Sequence, residues 1–424
     1  MALYSGWLSS DWNMVDGSYP TLNFGDNSGN TYSWASTDGA ISLSDAAAKN
    51  PTFTAPDVSP GTPVDKTFTL TLSDGAGGTQ TITSVVTVSH VNSTPAFSWT
   101  AVTEAEPGVL YSQTVTTTDA DTDVPTVSGD TLPSWLALTD NGDGTASLSG
   151  TPSESDLGLL DVVLSANDGT SVSSNNSATL SFTIQVSKQP AGSGTDADPY
   201  LISTMAELYW LSQTSSEWVS GKYFKQTADI DASATGTLDG GAGFTPLGVD
   251  SSNAFEANYD GGGHVISGLF INRPTQDYVG FIGYGKGQTI NNLGLENVDI
   301  TGGTKVGGFI GGANGMTIEK CYSTGTVHGN GNYVGGFIDR ADGYFTTVRN
   351  CYSTCTVTGA QVVGGFNGNG GGYLTVINCY STGSVSGTNF VGGFGGFSPE
   401  KKIENSFWDT ETSGQTTGSN YPGS

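Results

Sequence analysis

The sequence predicts an all-β chain: two Ig-like β-sandwiches followed by a parallel β-helix with one short capping α-helix. Three observations point there. Glycine makes up 62 of 424 residues and only 12% of the chain is charged, a composition suited to many short strands joined by tight turns. A Val-Gly-Gly-Phe motif recurs through the last third of the chain. Ahead of it, strand-like runs alternate with Gly, Asp and Pro turns at a spacing of about 8–12 residues, the rhythm of a sandwich.

The first expected sandwich covers residues 24–91. Its strand signals are Tyr32-Ser33-Trp34, Leu43-Ser44-Asp45, Asn50-Pro51-Thr52-Phe53 and Thr67-Phe68-Thr69-Leu70-Thr71-Leu72. The last alternates polar and apolar residues, and Trp34 is the expected buried anchor. This segment resembles PKD/REJ-type Ig-like domains. The second sandwich covers residues 92–188, on Thr118-Asp119-Ala120-Asp121, Leu132-Pro133-Ser134-Trp135-Leu136, Leu148-Ser149-Gly150-Thr151-Pro152 and Ala166-Asn167-Asp168-Gly169. It resembles the cadherin-like, dystroglycan-type Ig domains of bacterial surface proteins.

Residues 192–424 are the expected β-helix, with a cap at 192–260 and repeats at 261–418. Met205 to Trp218 carries the helix signal: Thr204 is placed to cap it, and Leu208, Leu211 and Trp218 give it an apolar face. Such a helix would cover the open strand edge at the start of a β-helix. The repeat begins with a shortened copy, Val279-Gly280-Phe281, followed by copies that begin at Val306, Val334, Val363 and Val391. The Val spacings are 27, 28, 29 and 28 residues. A second landmark keeps step, with Cys321-Tyr322-Ser323, Cys351-Tyr352-Ser353 and Cys379-Tyr380-Ser381. One unit has too few apolar residues for a core of its own, so stacking must supply it. The expected core ladder is Val306, Val334, Val363 and Val391, with Phe309, Phe337, Phe366 and Phe394, and with Cys321, Cys351 and Cys379 as small buried hydrophobes. Asn292, Asn350, Asn378 and Asn405 are expected to form a turn ladder that Lys320 interrupts once. These repeats resemble the GLUG-motif repeats of bacterial surface proteins. The lead-in Asp260-Gly261-Gly262-Gly263-His264 fits the same family, with His264 in a structural turn.

Acids outnumber bases 40 to 13, for a net charge of −27. That field argues against nucleic acid and anionic membrane as partners, and no apolar run is long enough to span a bilayer. The best cation site is a calcium site of Asp119, Asp121 and Asp123, which alternate and so share a face or turn. By resemblance to cadherin-type sites, Glu106 (or Glu104) and Asp168 would join them. A catalytic carboxylate pair on a β-helix needs acids at equivalent positions of adjacent coils, or two apart within one strand. Counted from the Val landmark, Asp299 falls opposite Val327, Thr356 and Ser384, none of them acidic, so the expectation is a chain that is not an enzyme. Tyr322, Tyr352 and Tyr380 form a second column, able either to bind a sugar face or to pack on one another.

The expected function is a structural or adhesive module of a bacterial extracellular surface protein. The other reading is a carbohydrate-binding or polysaccharide-cleaving β-helix. A surface glycan or a protein receptor is the expected outside partner. No signal peptide is visible, which implies a processed form or a fragment. Residues 1–23 look like the tail that follows a GLUG array, so the chain is expected to join copies of itself, or neighbouring repeats, head to tail into filaments.

Overall fold

The computed structural model describes residues 30–37, 41–56, 58, 62–73, 77–89, 92–121, 124–169, 176–370, 373–397 and 402–419, with the backbone of 12–13 and 21–22. Among them the chain is all-β, with Ig-like sheets first and long parallel sheets after. The tail-like segment 1–23 lies outside the described residues apart from a two-residue pairing of Trp12–Asn13 with Thr21–Leu22.

The first region forms a three-stranded antiparallel sheet of Thr31–Ser36, Val64–Ser73 and Thr79–Val88. Its alternation decides which side is dry. Phe68 and Leu70 face in with Trp34 and Val86, while the intervening threonines face out. Trp34 sits opposite Leu70 and donates its indole N–H to the Ala48 carbonyl at 3.2 Å.

The second region is a sandwich of two four-stranded sheets. One holds Ala96–Phe97, Tyr111–Thr118, Leu136–Asp140 and Thr145–Gly150; the other holds Glu104–Ala105, Thr126–Thr131, Gly158–Asn167 and Ser177–Val186. Val115, Leu148, Val162, Leu164 and Ile184 fill the space between them with no exposed surface. Each comes from the inward phase of its strand.

From Tyr200 the strands pair in parallel, coil on coil, in sheets of eight, ten, five and four strands. The register is one residue per coil at the motif. Val306 pairs with Val334, Val334 with Val363 and Val363 with Val391. In the eight-stranded sheet Ile290, Ile318, Val348, Val376 and Ile403 align in the same way. Phe309, Phe337, Phe366 and Phe394 stack face to face inside, with centroids 4.8, 5.0 and 5.0 Å apart. That is the strand spacing itself. Cys321, Cys351 and Cys379 are buried one per coil as free thiols, and Cys355 is a fourth. The Cys321 amide points at the Cys351 sulfur at 3.4 Å.

The turn ladder has a backbone cause. Asn292, Lys320, Asn350, Asn378 and Asn405 all take positive φ, between 48° and 54°. Asn tolerates this left-handed region better than other side chains. The Asn378 amide donates to Asn350 at 3.1 Å and the Asn405 amide to Asn378 at 3.3 Å.

Two expectations change. The α-helix ends at Gln213. Trp218 instead closes a following 3₁₀ turn and donates its indole N–H back to the Leu211 carbonyl at 2.8 Å. Asp299 pairs with Thr326, one residue short of the expected Val327. The turn that follows accounts for the shift: Gly302 pairs with Gly329 and Val306 with Val334, so it spans four positions in one coil and five in the next.

The sandwich is joined to the β-helix through a packed junction. Thr204 and Glu207 form a reciprocal capping box on the helix Met205–Gln213. The same Glu207 carboxylate holds the Lys188 ammonium at 2.9 Å, and Lys188 N–H donates to the Ala206 carbonyl at 3.2 Å. Leu157, at the end of the sandwich, belongs to one continuous core with Leu238 of the cap.

Candidate functional site

The aspartates gather at one tip of the second sandwich. Asp119 follows the strand Tyr111–Thr118, and Asp168 follows the strand Gly158–Asn167. The chain enters the domain beside them at Asn92 and Ser93. Asp121 accepts from the Ser93 backbone N–H and, at 3.2 Å, from the Ser93 hydroxyl. Asp119 Oδ1 accepts from the Asp121 N–H at 2.7 Å. Asp168 Oδ2 accepts from the Asn92 amide at 2.7 Å. The other Asp119 oxygen, Oδ2, is buried with no hydrogen-bond partner. Oxygen ligands of this kind suit calcium, and an orphaned carboxylate oxygen is what a bound cation would satisfy. Asp123 lies outside the described residues. Among the described residues no three acids, His or Cys already stand together at metal-binding distance.

The structure does not bring Glu106 to this cluster. It follows the short strand Glu104–Ala105, which pairs with Gln185 and Val186 at the far end of the sandwich. The strand Gly158–Asn167 separates the two tips by about 30 Å at the usual strand rise. Sequence spacing could not show this, because it carries no information on which tip a loop occupies.

Tyr322, Tyr352 and Tyr380 stack along the outer face with centroids 4.7 and 4.9 Å apart and planes within 4°. Tyr322 donates to Glu296 at 2.7 Å. Burial and the Glu296 carboxylate, with smaller contributions from Tyr352 and Asp229, push the Tyr322 hydroxyl above its ordinary value. Tyr352, with a ring on each side, presents its edges to solvent, whereas Tyr380 has one of these ring neighbours and is 41% exposed. The column packs on itself.

A buried carboxylate that the sequence reading passed over is Asp339. It sits in the strand Ile338–Ala341, at the position that Gly311 and Gly368 occupy in the neighbouring coils. Its Oδ1 accepts from the Asn369 N–H at 3.2 Å, and its Oδ2 has no partner. Burial drives its pKa well above the carboxylate range. The signal was present: a lone acid at the phase where the neighbouring coils carry glycine.

Residues 91–187 match the family model described as a putative Ig domain. The chain is 38% identical over 121 residues, 27% of its length, to halomucin of Haloquadratum walsbyi. It is 40% identical over 112 residues, 26% of its length, to a Gly-rich membrane protein of Evansella cellulosilytica, itself named as putative. It spans 1% and 12% of the lengths of those two proteins. Among solved structures, mouse cadherin-23 EC22-24 superposes with a TM-score of 0.26 at 18% identity, over 44% of this chain and 66% of that one. An endo-fucoidan hydrolase of glycoside hydrolase family 107, MfFcnA4, gives 0.20 at 23% identity, over 37% of this chain and 23% of that one.

Proposed function

We propose that this chain is a non-catalytic, structural or adhesive module of an extracellular surface protein. In it, Ig-like domains are carried on a stiff β-helix of the GLUG-repeat class. The observation that carries the reading is the one-residue-per-coil register of Val306, Val334, Val363 and Val391. These valines lie in a four-stranded sheet, and the eight-stranded sheet of the same coils stacks over about 34 Å. Stacked repeats of this sort serve as extended scaffolds. The likeness to halomucin and to a Gly-rich membrane protein supports a surface setting.

Calcium belongs to this reading. Asp119, Asp121 and Asp168 would hold the ion where the chain enters the second sandwich, stiffening the link to the first. Titration calorimetry with CaCl₂ is expected to show binding that Asp119→Asn abolishes. Absence of heat, with no shift in melting temperature, removes the ion from the account.

Self-association is the second part. Among the described residues the strands Lys402–Glu404 and Phe407–Trp408 pair on one side only, and Phe407 is 68% exposed. An open strand edge beside an exposed aromatic invites another strand. Electron microscopy of the full chain should show end-to-end rods, and deletion of residues 1–22 should leave single ones.

A further inference from the structure

The junction between sandwich and β-helix leaves a cleft of about 790 Å³. That is within the range of small-ligand sites, which favour domain boundaries. One wall is the helix Met205–Gln213. This helix buries Met205 to Tyr209, Leu211 and Ser212, and so leaves Trp210 and Gln213, three residues apart and half-buried, on the cleft side, with the Gln213 amide donating to Ser212 at 3.1 Å and Thr245 at 3.3 Å. The facing wall is the sandwich end, with Gln113 on the strand Tyr111–Thr118 and Gln185 on the strand Ser177–Val186. The linker adds Gln189.

The geometry points to this cleft as a binding site for a neutral pyranose oligosaccharide. Side-chain amides both donate and accept, which matches the paired donors and acceptors of sugar hydroxyls; Gln113 and Gln189 bring both groups, while Gln213 and Gln185, whose Nε2 groups donate to Thr245 and Ser187, bring their carbonyl oxygens. The lining adds the hydroxyls of Ser112, Thr214 and Ser216. Trp210, held edge-on against Tyr200 at 5.6 Å, supplies an aromatic surface for the C–H face of a ring. Val109 and Leu110 extend the apolar rim and are 53% and 66% exposed. Charge decides which sugars fit. Among the described residues the lining carries Glu104 and Glu106 and no Lys, Arg or His, and the nearby Lys188 is taken by Glu207. With a net charge of −27 on the chain, uronic or sulfated sugars are repelled and uncharged ones are not. The inference names a ligand for the adhesive reading but rests on different residues from the calcium site and the tyrosine column.

Calorimetry of the full chain with malto-, cello- and xylohexaose, and with hexagalacturonate as the anionic control, tests it. At least one neutral hexamer is expected to bind, and hexagalacturonate is not. Trp210→Ala should weaken that binding at least about tenfold, as loss of a central aromatic anchor does, while Tyr352→Ala leaves it unchanged. Because Trp210 also packs on Tyr200, Gln113→Ala is the second variant, with a loss of about threefold or more expected from one hydrogen bond. The proposal is overturned if no neutral hexamer binds, if binding survives both cleft variants, or if hexagalacturonate binds best. Any of these leaves the calcium and rod-assembly tests standing on their own.

Discussion

At the scale of residues, the informative positions are those that break a column. Lys320 takes φ 52° in a row otherwise made of asparagines. A left-handed conformation costs an ordinary side chain roughly 1–2 kcal/mol, and asparagine tolerates it. Lys320 also has no amide to carry the ladder between Asn292 and Asn350. Lys320→Asn should therefore stabilise the β-helix by about 1 kcal/mol, read as a higher denaturation midpoint with an unchanged slope. Asp339 breaks a second column. Desolvation raises its carboxyl well above the carboxylate range in the folded chain, whereas an unfolded aspartate ionises from about pH 4 upward. Below that pH the group is neutral in both states and costs nothing by titration. As pH rises above it, the unfolded state loses protons first and folding is progressively disfavoured, until the folded carboxyl itself ionises. Asp339→Asn removes this dependence. Its melting temperature should gain on the native chain between pH 4 and pH 7, and a constant difference would mean that Asp339 is already charged.

At the scale of elements, the phenylalanine column sets the energetics. Phe337 has a ring on each side, at 4.8 Å and 5.0 Å, whereas Phe394 has one of these neighbours. Phe337→Ala should cost about 3–5 kcal/mol, as large core truncations do, and Phe394→Ala less. Chemical denaturation of the two variants checks the order. The column was legible in the sequence because its residues recur at a fixed phase, and phase is what stacking preserves. The Thr204 cap was legible for a local reason, since Glu207 three residues on completes it. What was not legible depended on insertion and direction. Between Ile318 and Val348 the eight-stranded sheet spans thirty positions instead of twenty-eight, and Tyr344 and Phe345 stand out from the surface there. One extra position between Gly329 and Val334 moved Asp299 by one step. Glu106 went to the opposite tip of its sandwich. No repeat period encodes any of these.

At the scale of the whole molecule, the buried contacts fall into two bodies. The second sandwich shares one continuous core with the β-helix, and the sheet around Trp34 has its own. Calorimetric melting should accordingly show two transitions, a small one for residues 31–88 and a large one for the remainder. Glu207 ties the joint of the larger body. Burial alone would raise its pKa, but the Lys188 ammonium and the Ser203 donors hold it below the usual carboxylate range. Its stabilising effect is present above about pH 4 and fades as pH falls through the lowered folded value. Glu207→Gln should lower the main transition at pH 7, with the deficit closing in acid.

In-register stacking also sets how the rod answers force. Strands run across its axis, so the hydrogen bonds between coils run along it. A pull on the two ends loads those bonds one layer after another instead of all together. The end layer detaches first, and each layer freed releases about 100 Å of slack, from some twenty-eight residues at nearly extended length. A chain built this way behaves as a tether that lengthens in steps under tension and rewinds onto the template of the layers that remain.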